Sequence, residues 1–366
     1  MTGINNGTSL RDGAKSRAAT ILAAIIGATL VTGLDARPAD ALVIKARFDT
    51  TITSRTNAAV IESAFNSAIY KLDTAFANPA TVYVTVSWGS VAGQSLPSGD
   101  IGASLDNLSG PYAFNSITHY LTATSKANPA DLTLAKAVSH LPGTDPTKLN
   151  QFEIPYAEAK AIGLLAANQN TMDGYIGFNS AANFDFNPVG GISAGTYDFQ
   201  GLADHELAEV LGRITGLQST SPHWATPYDL YRYTAANSPS FAYGAHAYFS
   251  VDGGLTDLGD FNYAGSGDRS DWLTLPTSTD LQSATLTTGR AYAFSSSDLN
   301  ALDALGWGSW TMANTVLTGA PDTTSPINGA GGVPEPATWG MLLLGFGLAG
   351  AATRRRRLER SSSLTR

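Results

Sequence analysis

Two apolar segments, one at each end of the chain, confine the folding unit to what lies between them. The first, Ala18 to Leu34, follows Arg11, Lys15 and Arg17 and precedes Ala39-Asp40-Ala41. A positive stretch, a short apolar run rich in small residues and an A-x-A step make residues 1–41 a secretory signal peptide. The alternative is a membrane-spanning helix, for which the run is short. The second segment, Ala337 to Ala352, follows Val333-Pro334-Glu335-Pro336 and ends in Arg354-Arg355-Arg356-Arg357. Arginines behind an apolar helix orient it with that cluster in the cytoplasm. Residues 318–332 are Gly-, Thr- and Pro-rich and read as a linker. The folding unit is then 42–317, enough for one large domain with its own core.

Charge separates in the same way. The 366 residues hold 22 Lys+Arg and 30 Asp+Glu, a net charge of −8. Ten of the basic residues sit at the two ends, which leaves 12 basic and 25 acidic side chains between 42 and 333, near −13. Such a body is a poor partner for nucleic acid. Cysteine is absent, so no disulfide, thiolate nucleophile or cysteine zinc site can form. Residues 333–357, with their VPEP, Gly-rich apolar run and RRRR cluster, resemble the PEP-CTERM sorting signal of Gram-negative bacteria. The resemblance implies transient anchoring in the inner membrane through the C-terminal helix, then cleavage near Pro-Glu-Pro by an exosortase. The expected destination is the periplasm, outer envelope or extracellular matrix.

Within the body, Leu42–Phe48 and Thr81–Trp88 alternate as strands do, and Asn57–Phe76 carries a helical apolar stripe. Gly89 to Gly110 is Gly/Ser-rich and reads as a surface loop. Helices are expected near 113–124, 130–139 and 156–168, a strand at 174–179 and a helix over 199–213. Short strands such as His246–Val251 and a closing helix at 297–307 complete an α+β pattern.

The helix Asp204-His205-Glu206-Leu207-Ala208-Glu209-Val210-Leu211-Gly212-Arg213 holds the chemistry. At about 100° per residue, His205 and Glu209 project within roughly 40° of each other, while Leu207, Val210, Leu211 and Ile214 lie opposite. Two ligands at i and i+4 can grip one metal ion, and Glu206, a quarter-turn round, can reach a water beside it.

The body resembles a family of secreted zincin-like metalloproteases. The resemblance rests on HELAEVLGR (205–213), PYDLYRY (227–233), YFSVDGG (248–254), GDRSDW (267–272) and ALDALGW at the end. It implies a zincin-like catalytic domain with a mixed sheet and a central active-site helix over 42–317, His205 and Glu209 as metal ligands, and Glu206 as general base. Position 209 is Glu where better-known zincins have His, Thr215 stands where a metzincin has its third His, and no Met-turn follows. The third ligand is open between Asp229, spaced 20 residues after Glu209 as in gluzincins, and His223, which would complete a His₂Glu set. Asp229 has the alternative of capping a helix or pairing with Arg232, and His223 that of an exposed loop residue. The metal implied is Zn²⁺, although one His with two carboxylates is hard enough to suit Mn²⁺ or Fe²⁺.

His119 and His140 read as structural. His246 and the tyrosines 228, 231 and 233 could donate to an oxyanion, but an aromatic cluster is the alternative. The Asp-rich loops 252–260 and 268–271 could hold structural Ca²⁺ without matching an EF-hand. The expected activity is hydrolysis of peptide bonds in a peptide or protein substrate. The alternative is a non-catalytic surface protein associated with envelope exopolysaccharide.

Overall fold

The computed structural model describes residues 41–96 and 99–310. The signal peptide, the linker and the sorting signal with its apolar helix lie outside these residues. Among the described residues, no helix is long and apolar enough to cross a membrane.

In chain order the main elements are β1 (Val43–Phe48), α1 (Ala58–Ala75), β2 (Thr81–Trp88), β3 (Gly102–Asp106), β4 (Leu108–Tyr112), α2 (Phe114–Ala127) and α3 (Leu132–Ser139). There follow β5 (Phe152–Pro155), α4 (Tyr156–Ala161), β6 (Gly174–Phe178), α5 (Phe199–Val210), β7 (Arg232–Ala235), β8 (Tyr248–Phe249) and α6 (Ser296–Leu302). The central sheet has the order β1-β2-β6-β3. Its first three strands are parallel and β3 closes one edge antiparallel to β6, pairing Ser104 with Ile176. The chain is thus a mixed α+β protein built on a mixed sheet.

The sheet's core follows from its pattern. Val82, Val84 and Val86 on β2 are fully buried and share one core with the stripe Ile61, Phe65, Ala68 and Leu72 of α1. Burying each such side chain is worth about 1.5–3 kcal/mol, so this layer anchors the fold. A second core joins Phe114, Ile117 and Leu121 of α2 to Leu134, Phe152 and Ile154. The chain after residue 225 has few regular elements and coheres through aromatic side chains, with Phe249, Phe261 and Trp272 packed at ring separations of 5.5–6.0 Å. The closing segment, α6 and the helical turn Asp303–Trp307, ties back to the helix that carries the site through Trp307 Nε1 donating to the Leu211 carbonyl at 2.6 Å.

Several boundaries differ from the sequence expectation. The stretch 89–110 is not a surface loop: it contains a hairpin, Ser90–Val91 with Gln94–Ser95, and the edge strand β3. The helix expected over 156–168 stops at Ala161, and Gly163 follows with φ +76°. The helix expected to reach 213 ends at Val210, because Gly212 adopts φ +118° and a Cβ there would lie 2.7 Å from Glu158 Oε2.

Candidate metal centre

Helix α5 is buried on every side: all twelve of its residues from Phe199 to Val210 are buried. Asp198 caps its first turn, accepting from the Gly201 N–H at 3.0 Å and the Tyr292 N–H at 2.9 Å. Lys71 of α1 pairs with Asp204 at 2.6 Å, holding the turn that presents His205. The face opposite the apolar stripe therefore meets the floor of a cleft rather than open solvent.

His205 Nδ1 lies 2.8 Å from the Leu281 carbonyl oxygen. That oxygen can only accept, so Nδ1 carries the hydrogen and Nε2 presents its lone pair to the cleft. Nε2 is 3.7 Å from Glu209 Oε1 and 3.8 Å from Asp271 Oδ1. One ligand atom from each of the three residues falls within 4.8 Å of the others, close enough to surround one cation. A histidine whose far nitrogen is held by a carbonyl is the usual support for a metal-binding imidazole.

The surroundings orient all three. Ser104 of β3 donates through Oγ to Glu209 Oε2 at 2.8 Å, leaving Oε1 for the centre. Arg213 is fully buried, stacks 4.2 Å over the Trp272 ring and sits with Nη1 3.9 Å from Asp271 Oδ1. It also donates to the Gln282 amide oxygen, and Gln282 in turn donates to the His205 carbonyl at 3.2 Å. Asp271 Oδ1 is buried with no hydrogen-bond partner, as is Glu206 Oε2. Two buried, unpaired carboxylate oxygens facing one cleft are costly unless something satisfies them.

Close packing of β3 against α5 explains its small residues. A Cβ on Gly102 would lie 2.5 Å from Glu206 Oε1 and 3.1 Å from Leu202, so only glycine lets the strand run this near. Gly102 faces Leu202 and Glu206, and Ser104 faces Glu209, so strand and helix advance side by side along the cleft.

Charge repulsion marks the cluster. Burial and then the neighbouring Glu209 push the carboxyls of Glu206 and Asp271 well above the usual range. Asp106, at the end of β3, is raised to about 8 by burial and then by Glu209. Asp268 is exposed at the cleft mouth, yet the Glu209 charge, then partial desolvation, lifts it to about 7. Carboxyls held above their unfolded values favour the fold while protonated and disfavour it once ionised. The metal-free protein is therefore expected to lose thermal stability as pH rises through the window from about 4 to about 8. An added divalent cation should raise Tm most at the upper end, since it binds the ionised forms. Scanning fluorimetry with chelator and with metal measures this; a metal-free Tm that climbs from about pH 5 to about pH 8 would contradict it.

The other sequence-identified residues lie elsewhere. Asp229 does not join His205 and Glu209. It is buried in a capping box with Thr226 at the start of the short 3₁₀ helix Pro227–Tyr231. Its oxygens accept from the Thr226 N–H at 2.9 Å, the Gly216 N–H at 3.0 Å and the Thr215 hydroxyl. His223 is exposed in the loop before Trp224. The carboxylate that reaches the centre is Asp271, 62 residues beyond Glu209, on a loop with no periodicity to mark its orientation. The one signal for it was the GDRSDW segment, whose aspartates otherwise suggested only a calcium loop.

His119 and His140 are exposed on or beside helices, and His246 pairs at 3.1 Å with Asp260 on the surface. Tyr228 and Tyr231 are buried in the aromatic core, Tyr231 donating to the Ala304 carbonyl at 3.0 Å. In the loop 252–260, Asp252 accepts from Ser250 and Thr256 at 2.7–2.8 Å, so the loop satisfies this carboxylate itself.

Residues 332–357 match the PEP-CTERM protein-sorting motif. The motif marks the chain for an exosortase-type sorting enzyme and for export in a Gram-negative-type envelope. No curated protein and no solved structure matches the chain.

Proposed function

We propose that the chain is an exported metal-dependent endopeptidase whose body is a zincin-like catalytic domain. The observation that carries this reading is the meeting of His205, Glu209 and Asp271 within 4.8 Å, beside Glu206, in one cleft. One nitrogen with two carboxylate oxygens suits Zn²⁺, with Mn²⁺ and Fe²⁺ as the harder alternatives. A divalent cation there would supply Lewis acidity, polarising a scissile carbonyl and acidifying water.

The remaining work falls to the chain's own side chains. Glu206, beside Glu209 and free of any hydrogen bond at Oε2, takes the proton of the attacking water and delivers it to the leaving amine. Ser104 and the Leu281 carbonyl fix the orientations of Glu209 and His205. Helix α5, clamped at both ends by Asp198 and Trp307, keeps these groups from drifting apart.

The test measures metal content and casein cleavage on the purified, processed protein. About one equivalent of transition metal per chain is expected, with cleavage lost on chelation and restored by Zn²⁺. A protein that holds no stoichiometric metal and cleaves nothing, yet binds exopolysaccharide, would instead be the non-catalytic surface protein.

A further inference from the structure

The cleft around the candidate centre has a volume of about 680 Å³, and six carboxylates line it: Asp100, Asp106, Glu206, Glu209, Asp268 and Asp271. Neither lysine nor arginine is among the described residues that line it. Arg213, with Nη1 3.9 Å from Asp271 Oδ1, is fully buried and committed to Gln282 and the Trp272 ring, and Arg269, next to Asp268 in the chain, donates to the Asn262 carbonyl at 3.2 Å. One divalent cation on His205, Glu209 and Asp271 would neutralise two of the six. Glu206 is reserved for the attacking water, and Asp106 lies at the foot of the cleft beside Gly174.

Asp100 and Asp268 remain. Both are exposed, and they arrive from separate loops, one leading into β3 and the other leading to Asp271. Both belong to the lining of the cleft that holds His205, Glu209 and Asp271. Two carboxylates from different loops, on a cleft whose described lining has no lysine or arginine, give it a single sign of charge that favours a cationic ligand. Glu206 Oε2 and Asp271 Oδ1, both buried in this cleft without a hydrogen bond, mark it as one built to receive a ligand.

Resting on the peptidase reading, we propose that Asp100 and Asp268 select peptide substrates carrying a lysine or arginine side chain beside the scissile bond. The acidic body adds a long-range attraction for cationic peptides that salt screens. An anionic peptide would meet the same rim as a like charge and be excluded.

The experiment uses the purified, metal-loaded protein and matched peptides that differ only in Lys, Gln or Glu at one position near the cut. The expected kcat/KM is about tenfold higher for Lys than for Gln, and lower still for Glu. The Lys/Gln ratio should fall toward one in the double variant Asp100→Asn with Asp268→Asn, and partly in each single variant, at matched metal content and Tm. Independently, Glu206→Gln protein should bind a fluorescent Lys peptide more tightly than its Glu counterpart, with the difference shrinking as salt rises. Equal cleavage of the three peptides, or a ratio that survives in a folded double variant, overturns the selectivity and leaves the peptidase reading standing. Cleavage of none of them overturns the peptidase reading, and the binding arm then decides the preference: equal affinity for Lys and Glu peptides overturns it.

Discussion

Glu206→Gln is expected to lower peptide cleavage by about two to four orders of magnitude while the metal content stays at its starting value. Glutamine keeps the shape of the side chain, which matters because Gly102 leaves little slack: even a Cβ on that residue would lie 2.5 Å from Glu206 Oε1. It removes the one property the reaction needs, a group that can take a proton from water and give it to the leaving amine. The ligand atoms of His205, Glu209 and Asp271 do not include Glu206, so metal affinity has no direct reason to fall. The metal-free variant should also be more stable than the parent at neutral pH and above. Glu206 is buried next to Glu209, its carboxyl is held well above the ordinary range, and its ionisation opposes folding as pH rises. Lost cleavage with retained metal and a raised metal-free Tm is thus a three-part signature. Unchanged cleavage would remove Glu206 from the mechanism.

What could be read from the chain, and what could not, divides along a physical line. The core strands and α1 announce themselves because burial on one face imposes a period: Val82, Val84 and Val86 alternate, and Ile61, Phe65, Ala68 and Leu72 recur by helical turns. His205, Glu206 and Glu209 were legible for the same reason, since i and i+4 positions share a face wherever the helix sits. The edge strand β3 was not legible. Gly-Ala-Ser-Leu-Asp is as small and polar as a loop, because its inward face must clear Glu206 and Leu202 and offer a hydroxyl to Glu209. Long-range partners escape for a different reason. Leu281 supplies only a backbone carbonyl to His205, and every residue has one. Asp271 comes from an irregular segment, where spacing along the chain carries no information about direction in space.

The choice between Asp229 and Asp271 gives the second large effect, and the two aspartates should fail in opposite ways. Asp271→Ala deletes one of three ligand atoms and is expected to weaken metal binding by at least about a hundredfold, beyond the 10–100-fold typical of merely supporting partners. Its metal-free fold loses a carboxyl repelled by Glu209 and also the ion-pair partner 3.9 Å from the buried Arg213 guanidinium, two opposing effects that should leave its Tm shifted less than that of Asp229→Ala. Asp229→Ala removes the acceptor for the Thr226 and Gly216 N–H groups and for the Thr215 hydroxyl, all buried. Leaving such donors unpaired costs about 1–3 kcal/mol each, so this variant should be strongly destabilised while any folded fraction keeps its metal. Metal titration followed by a metal-free melting curve on each variant separates ligand from scaffold. If Asp229→Ala lost its metal at an unchanged Tm and Asp271→Ala kept it, the ligand set would have to be redrawn around the 3₁₀ helix, and the cleft would lose its claim to the chemistry. The geometry favours the reverse because each Asp229 oxygen already has a donor, Oδ1 the Thr215 hydroxyl and Oδ2 the Thr226 and Gly216 N–H groups, whereas Asp271 Oδ1 faces His205 Nε2 without a hydrogen bond.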